Sequence, residues 1–152
     1  MKKFKGFQES RVSYTPIPTQ FFNELLPQID NLGEMKVILY IFWRIEQMEA
    51  PFRYLRRDDF VQDALFMQGM GSNAKGAEDA LDEALERAVK RGVLLRATVE
   101  GGATGQDLYF LDTPKGRAAV KAIERGEWRF SSKEQYPVEI EPEVPNIYKL
   151  YE

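Results

Sequence analysis

Neighbouring carboxylates are the side chains in this sequence whose types and spacing come closest to catalytic chemistry. They occur at Asp58-Asp59 and at Asp82-Glu83, and paired carboxylates can transfer protons as general acid and base. The sequence contains no histidine and no cysteine. Serine–histidine catalysis, cysteine–histidine catalysis and ordinary zinc sites are therefore excluded. Adjacent or exposed helical acids are usually solvated surface residues, so we predict no enzyme, no catalytic residue, no metal ligand and no cofactor.

Three groups of basic residues could contact phosphate. They are Lys2, Lys3 and Lys5 in a polar arm over residues 1–13, then Arg53, Arg56 and Arg57, and finally Lys115, Arg117, Lys121 and Arg125. The arm can equally be a plain soluble segment. The second group stands beside Asp58 and Asp59, which favours a local set of salt bridges. The third is explained about equally well by a DNA-contacting surface and by a solvated helix face.

Composition indicates one globular domain rather than a disordered chain. The 152 residues are 43% hydrophobic and 30% charged, with a net charge of −3. A basic footprint over the whole domain, which nucleic-acid-binding domains often have, is therefore absent. The longest apolar run, residues 37–43, is too short to cross a membrane. With no signal-peptide pattern at the start, we expect a cytoplasmic protein.

Hydrophobic spacing and turn residues predict an ordered series of elements. In chain order they begin with helices over residues 20–26 and 33–48, a strand over 53–55 and a short helix from Asp58 or Asp59. A glycine-rich turn over 69–76 and a helix over 77–91 follow. Last come hairpin strands over 93–100 and 107–112 around a tip at 101–106, and a helix from Pro114 to near Gly126. The order predicts an α+β, mainly helical fold over residues 14–126. It is that of a winged helix-turn-helix with a two-stranded β-wing.

The predicted recognition helix, residues 77–91, is poorly suited to DNA. Its N-terminal end would meet the bases, and that end carries Glu78, Asp79 and Asp82. Phosphate contact needs cations, and the hairpin tip contains neither lysine nor arginine. A solvated face is therefore favoured over insertion into a DNA groove.

The helix over residues 33–48 is apolar on nearly all sides, so more than one of its faces should be covered. Adjacent Phe42 and Trp43 cannot point to the same narrow face. Core packing explains most of the aromatic residues, but a second subunit could cover the remaining face. The residues expected at that interface are Tyr14, Ile17, Phe21, Phe22 and Trp43.

Several of these segments resemble DnaD-like DNA-replication proteins. The similar segments are residues 21–30 through 53–57, residues 81–95 and residues 109–117. The ending, residues 145–152 (Pro-Asn-Ile-Tyr-Lys-Leu-Tyr-Glu), resembles the opening of that family's C-terminal domain. The resemblance implies a truncated chain, with an acidic, proline-containing linker over residues 127–145 and the start of a second domain at 146–152.

In that family the N-terminal winged helix mainly mediates oligomerisation and protein contacts during primosome assembly, and the C-terminal domain carries much of the DNA binding. We therefore expect self-association as a homodimer or higher oligomer, and contacts with replication-initiation or helicase-loading proteins. DNA binding by this fragment should be weak, and a membrane is not expected as a partner. Phage replication proteins share the same domains. The alternative is a winged-helix regulator that binds DNA through its last helix and its N-terminal arm.

Overall fold

A computed structural model describes residues 3–50, 52–99, 107–130 and 137–139. Residues 128–130 and 137–139 are described by their backbone alone. The helices are α1 (Leu32–Glu46), α2 (Arg57–Val61), α3 (Ala64–Gln68), α4 (Ala74–Arg91) and α5 (Pro114–Glu124). The strands are β1 (Leu55–Arg56), β2 (Leu94–Thr98), β3 (Asp107–Leu111), β4 (Trp128–Phe130) and β5 (Pro137–Glu139). The predicted hairpin tip and second-domain start lie outside the described residues.

The predicted α+β, mainly helical fold class is confirmed, with a sheet of three strands rather than two. The strand order is β1-β3-β2, and both pairings are antiparallel. The predicted strand at 53–55 lies at Leu55–Arg56, where Leu55 pairs with Tyr109. The short strand therefore completes the sheet along the free side of the predicted hairpin.

Two apolar clusters lie on opposite faces of this sheet, because successive strand residues point to opposite faces. Tyr109 and Leu55 belong to the larger cluster, which includes the buried residues of α1 and α4. Leu108 and Phe110 belong to the smaller cluster, which includes Ala119 of α5. The sheet is thus enclosed between the pair α1 and α4 on one side and α5 on the other.

Helix ends follow their capping residues. Asn73 accepts a hydrogen bond from the Gly76 amide at 2.7 Å, so α4 starts at Ala74 and the prediction of a turn over residues 69–76 is wrong in its second half. Gly92 ends α4 with φ +87°, as its position after basic residues predicts. Thr113 caps α5 through the Gly116 amide at 3.0 Å, with Pro114 at the first helical position.

Two other segments differ from their predictions. The helix expected over residues 20–26 is a π-helical turn, Phe21–Leu25, followed by a 3₁₀ turn, Leu26–Gln28, that includes Pro27. Proline is tolerated there because the first residues of a helical turn need no amide donor. The stretch 127–145, expected to be an extended linker, contains the antiparallel pair β4 and β5.

A buried ion pair joins α1 to α4. Glu34 is fully buried, and both its carboxylate oxygens accept hydrogen bonds from Arg91, at 2.6 and 3.0 Å. Asn31 caps α1 by accepting from the Glu34 amide at 2.8 Å. A bidentate arginine satisfies both oxygens of a carboxylate, so the charge of Glu34 is compensated inside the fold.

Helix α5 lies unusually close to β3 at Gly116. A Cβ atom at this position would stand 2.0 Å from the backbone oxygen of Leu111. No side chain fits at that distance, so glycine is required for the helix to cross the strand end. The approach places Ala119 and Ile123 of α5 within the smaller cluster.

We predict that Arg91→Met lowers the free energy of unfolding by about 3–5 kcal/mol, because the carboxylate of Glu34 is left buried without a partner. Urea denaturation followed by circular dichroism measures the loss. The matched control is Arg87→Met, whose main partner Glu83 is exposed and whose loss should cost at most about 1 kcal/mol. The double variant Glu34→Leu/Arg91→Met should recover much of the stability. Equal losses for Arg91→Met and Arg87→Met would contradict the assignment.

We also predict that Gly116→Ala destabilises the fold by about 1–3 kcal/mol, since α5 must move away from Leu111. Thermal unfolding gives the change. Gly69→Ala is the control, because its Cβ would meet its nearest atom at an ordinary 3.4 Å. A Gly116→Ala variant as stable as the wild type would show that α5 can shift without cost.

Candidate interaction surface

One face of α1 carries large apolar side chains that the other described residues leave partly exposed. Leu32 is 66% exposed, Leu39 37% and Trp43 43%. Spacings of seven and four residues place the three on one stripe of the helix. We call this stripe the α1 outer face. The opposite face of α1, with Val37 and Ile41, lies in the larger cluster.

Phe22 and Phe21 precede α1 and have different environments. Phe22 is half exposed, and its ring centroid lies 5.1 Å from that of Phe21. Phe21 is buried, with its ring edge-on to Phe42 at 6.2 Å. Phe21 thus connects the Phe22 segment to α1 and has almost no surface left for a partner.

The other two predicted interface residues also differ from each other. Ile17 is partly buried against the larger cluster, whereas Tyr14 is 85% exposed. Of the five, the structure therefore exposes Tyr14, Phe22 and Trp43. Leu32 and Leu39 were not predicted, although their spacing of seven residues was a signal that could have identified them.

A polar group on α1 supports one side of Trp43. Its ring lies 5.7 Å from that of Tyr40. The Tyr40 hydroxyl donates to Asp63 at 2.5 Å and accepts from Arg44 at 2.5 Å. Burial, together with the hydrogen bond to Asp63, raises the pKa of Tyr40 to about 12. The hydroxyl therefore remains a donor near neutral pH, and Tyr40 is fixed from two sides.

Three of the five acidic residues of α4 are paired with arginines from other elements. Arg57 contacts Asp82 at 2.6 Å and Glu78 at 3.0 Å, and these bonds raise the pKa of Arg57. Arg96 of β2 pairs with Glu86. Ion pairs thus connect the surface of α4 to α2 and β2.

The predicted salt bridges of the second basic group are found in part. Arg56 contacts Asp59 at 3.3 Å, as expected. Arg57 pairs with α4 rather than with the two aspartates, because it begins α2 and reaches the neighbouring helix. Each candidate carboxylate pair has a member bound to an arginine, Asp59 to Arg56 and Asp82 to Arg57.

The predicted DNA-contacting residues lie on α5 and just after it. Arg117, Lys121 and Arg125 are exposed and, at spacings of four, lie along one line of the helix. Asp112 binds Arg117 at 2.7 Å, and Glu127 binds Arg125 at 3.0 Å. Within the described part of the chain, Lys115 and Lys121 form no ion pair. Acidic neighbours thus offset half of the predicted cations.

Among the described residues, no helix has the length and apolar character needed to cross a membrane. Comparisons of the chain with models of protein families, with curated proteins and with solved structures found no match.

Proposed function

We propose that this chain is a winged-helix protein-interaction domain that self-associates through the α1 outer face and Phe22. The observation that carries the proposal is the exposure of Trp43 and Phe22, at 43% and 50%. Neither ring is fully covered by the described residues of the chain.

The sheet supports the winged-helix part of this proposal. A hairpin of β2 and β3 follows α4 directly, and β1 adds beside β3. In a winged helix the hairpin forms the wing and the helix before it is the recognition helix. Helix α4 then occupies the recognition position, behind the shorter helices α2 and α3.

The charges of α4 favour a protein partner over DNA. Glu78, Asp82 and Glu86 lie along this helix and hold Arg57 and Arg96 in ion pairs. Arginines that are held by carboxylates are less available to replace the counterions of phosphate groups. An approach of α4 to a DNA groove would bring these carboxylates toward the backbone phosphates.

Burial of Trp43 and Phe22 would supply part of the free energy that reversible association needs. Complete burial of a large apolar side chain contributes about 1.5–3 kcal/mol. About half of Trp43 and of Phe22 is already covered, so each would contribute roughly 1 kcal/mol on burial. A two-fold symmetric dimer uses each residue twice, which gives the pair of residues a total of about 4 kcal/mol.

The resemblance to DnaD-like proteins provides the proposed setting, which is replication initiation in the cytoplasm. The α1 outer face would then serve contacts between copies of the chain. Other surfaces would remain for replication-initiation or helicase-loading proteins. The cations of α5 are the candidate surface for the alternative role as a DNA-binding regulator.

We expect the wild-type chain to form dimers or larger species at micromolar concentration, as measured by light scattering over a concentration series. Trp43→Asp and Phe22→Asp should each weaken association at least tenfold, because each removes roughly 2 kcal/mol of apolar burial from a dimer. The buried carboxylate adds a further cost.

The matched control is Ala118→Asp, which adds the same charge on the exposed face of α5 and should leave the mass unchanged. Circular dichroism establishes that each variant is folded. A wild-type chain with the monomer mass of 17.6 kDa at every concentration would refute self-association. Folded Trp43→Asp and Phe22→Asp variants with the wild-type mass would place the interface elsewhere.

A further inference from the structure

Two phenylalanines near the start of the chain project into solvent. Phe4 is 67% exposed and Phe7 is 91% exposed. Their ring centroids are 4.9 Å apart in an edge-to-face arrangement. Large aromatic rings in water are unfavourable unless a partner covers them, and no described part of the chain does so. This pair is separate from the α1 outer face.

Lysines alternate with these rings. The sequence over residues 2–7 is Lys-Lys-Phe-Lys-Gly-Phe. Lys3 and Lys5 are exposed, and neither forms an ion pair with any residue of the described ranges. The nearest acid in the sequence is Glu9. The segment therefore combines free positive charge with free aromatic faces, in contrast to the paired arginines of α4.

We propose that residues 3–7 form a binding site for single-stranded nucleic acid. Bases would stack on Phe4 and Phe7, and the lysines would contact the phosphates between them. Sites of this kind combine aromatic platforms with cations, because every base has a flat face and every nucleotide carries a charge. The inference does not depend on self-association or on the winged-helix assignment.

The backbone of this segment favours nucleic acid over a membrane surface. Residues 3–8 form neither helix nor strand, and Gly6 has φ +97° and Arg11 φ +56°. A segment that enters the membrane interface is typically an amphipathic helix, because backbone groups that leave water need internal hydrogen bonds. On a nucleic acid strand the backbone of the segment can remain hydrated.

The aromatic pair also favours a single strand over a duplex. In a duplex each base is covered by its neighbours, so ring faces are available only at ends, bulges and unpaired regions. Lysines alone would bind both forms through phosphate. Phe4 and Phe7 are therefore expected to determine the preference for single strands.

The test is fluorescence anisotropy of a labelled oligothymidylate of about 16 nucleotides, titrated with the full chain at several salt concentrations. Phe4→Ala/Phe7→Ala should weaken binding at least tenfold, because each lost stacking contact is worth about tenfold or more. This variant should leave the salt dependence unchanged. Lys3→Gln/Lys5→Gln should reduce the slope of log affinity against log salt by about 1.4, at about 0.7 for each lost phosphate contact.

Two controls separate this site from general charge attraction and from the proposed self-association. Lys75→Gln/Lys90→Gln removes two exposed lysines from α4 and should leave the slope unchanged. Light scattering of each arm variant should give the wild-type mass. An arm variant that has the wild-type mass but binds the oligonucleotide more weakly supports the proposed binding site, whether or not the chain self-associates.

Three results would overturn the proposal. One is a wild-type chain that does not bind the oligonucleotide at low salt. The second is a Phe4→Ala/Phe7→Ala variant that binds as well as the wild type. The third is loss of sedimentation with phosphatidylserine vesicles in that variant while oligonucleotide binding is unchanged, which would assign the arm to a membrane surface.

Discussion

The ion pair between Glu34 and Arg91 is the constraint on which the arrangement of the other elements depends. Glu34 lies in the first turn of α1 and Arg91 is the last residue of α4, so the pair fixes how the two longest helices lie together. Moving a carboxylate out of water costs free energy, so its partner must be held in a well-defined position. With α1 held in this way, one of its faces packs into the core and the other is left outside.

Three arginines of the chain connect α4 to other elements. Arg57 joins α2 to α4, and Arg96 joins β2 to α4. Arg91 joins α4 to α1. Ion pairs thereby connect helix α4 to three neighbouring elements, and those to α2 and β2 use acidic residues on its exposed side.

Short-range signals in the sequence were sufficient to predict most of the elements. The periodicity of α1 and α4, the glycine after Arg91 and the Thr113-Pro114 cap all act within one or two helical turns. The sequence did not reveal which residue Arg57 binds, since its partners Glu78 and Asp82 are distant in the chain and equally good acids stand beside it. The burial of Glu34 was also missed, because a charged residue in a first helical turn normally faces solvent.

The candidate surface was predicted less well than the fold. Aromatic type alone suggested Phe21 and Phe22 together, but the edge-on contact with Phe42 buries only Phe21. Leu39 was assigned to a helix that must be covered on several sides, whereas Leu32 lay just before the predicted start of that helix. Which side of the helix remains open depends on where α4 packs. Exposure is a property of the assembled elements and is therefore harder to infer from spacing within one of them.

The pairing of β1 with β3 has a consequence for how the chain folds. Glu34 and Arg91 are 57 positions apart, and Leu55 pairs with Tyr109 across a similar distance. The two closures overlap, because Leu55 lies inside the first loop and Arg91 lies inside the second. Each closure shortens the chain that the other must bring together, which reduces the entropy lost in the second step. The helical layer and the sheet should therefore assemble and unfold as one cooperative unit rather than as two successive ones.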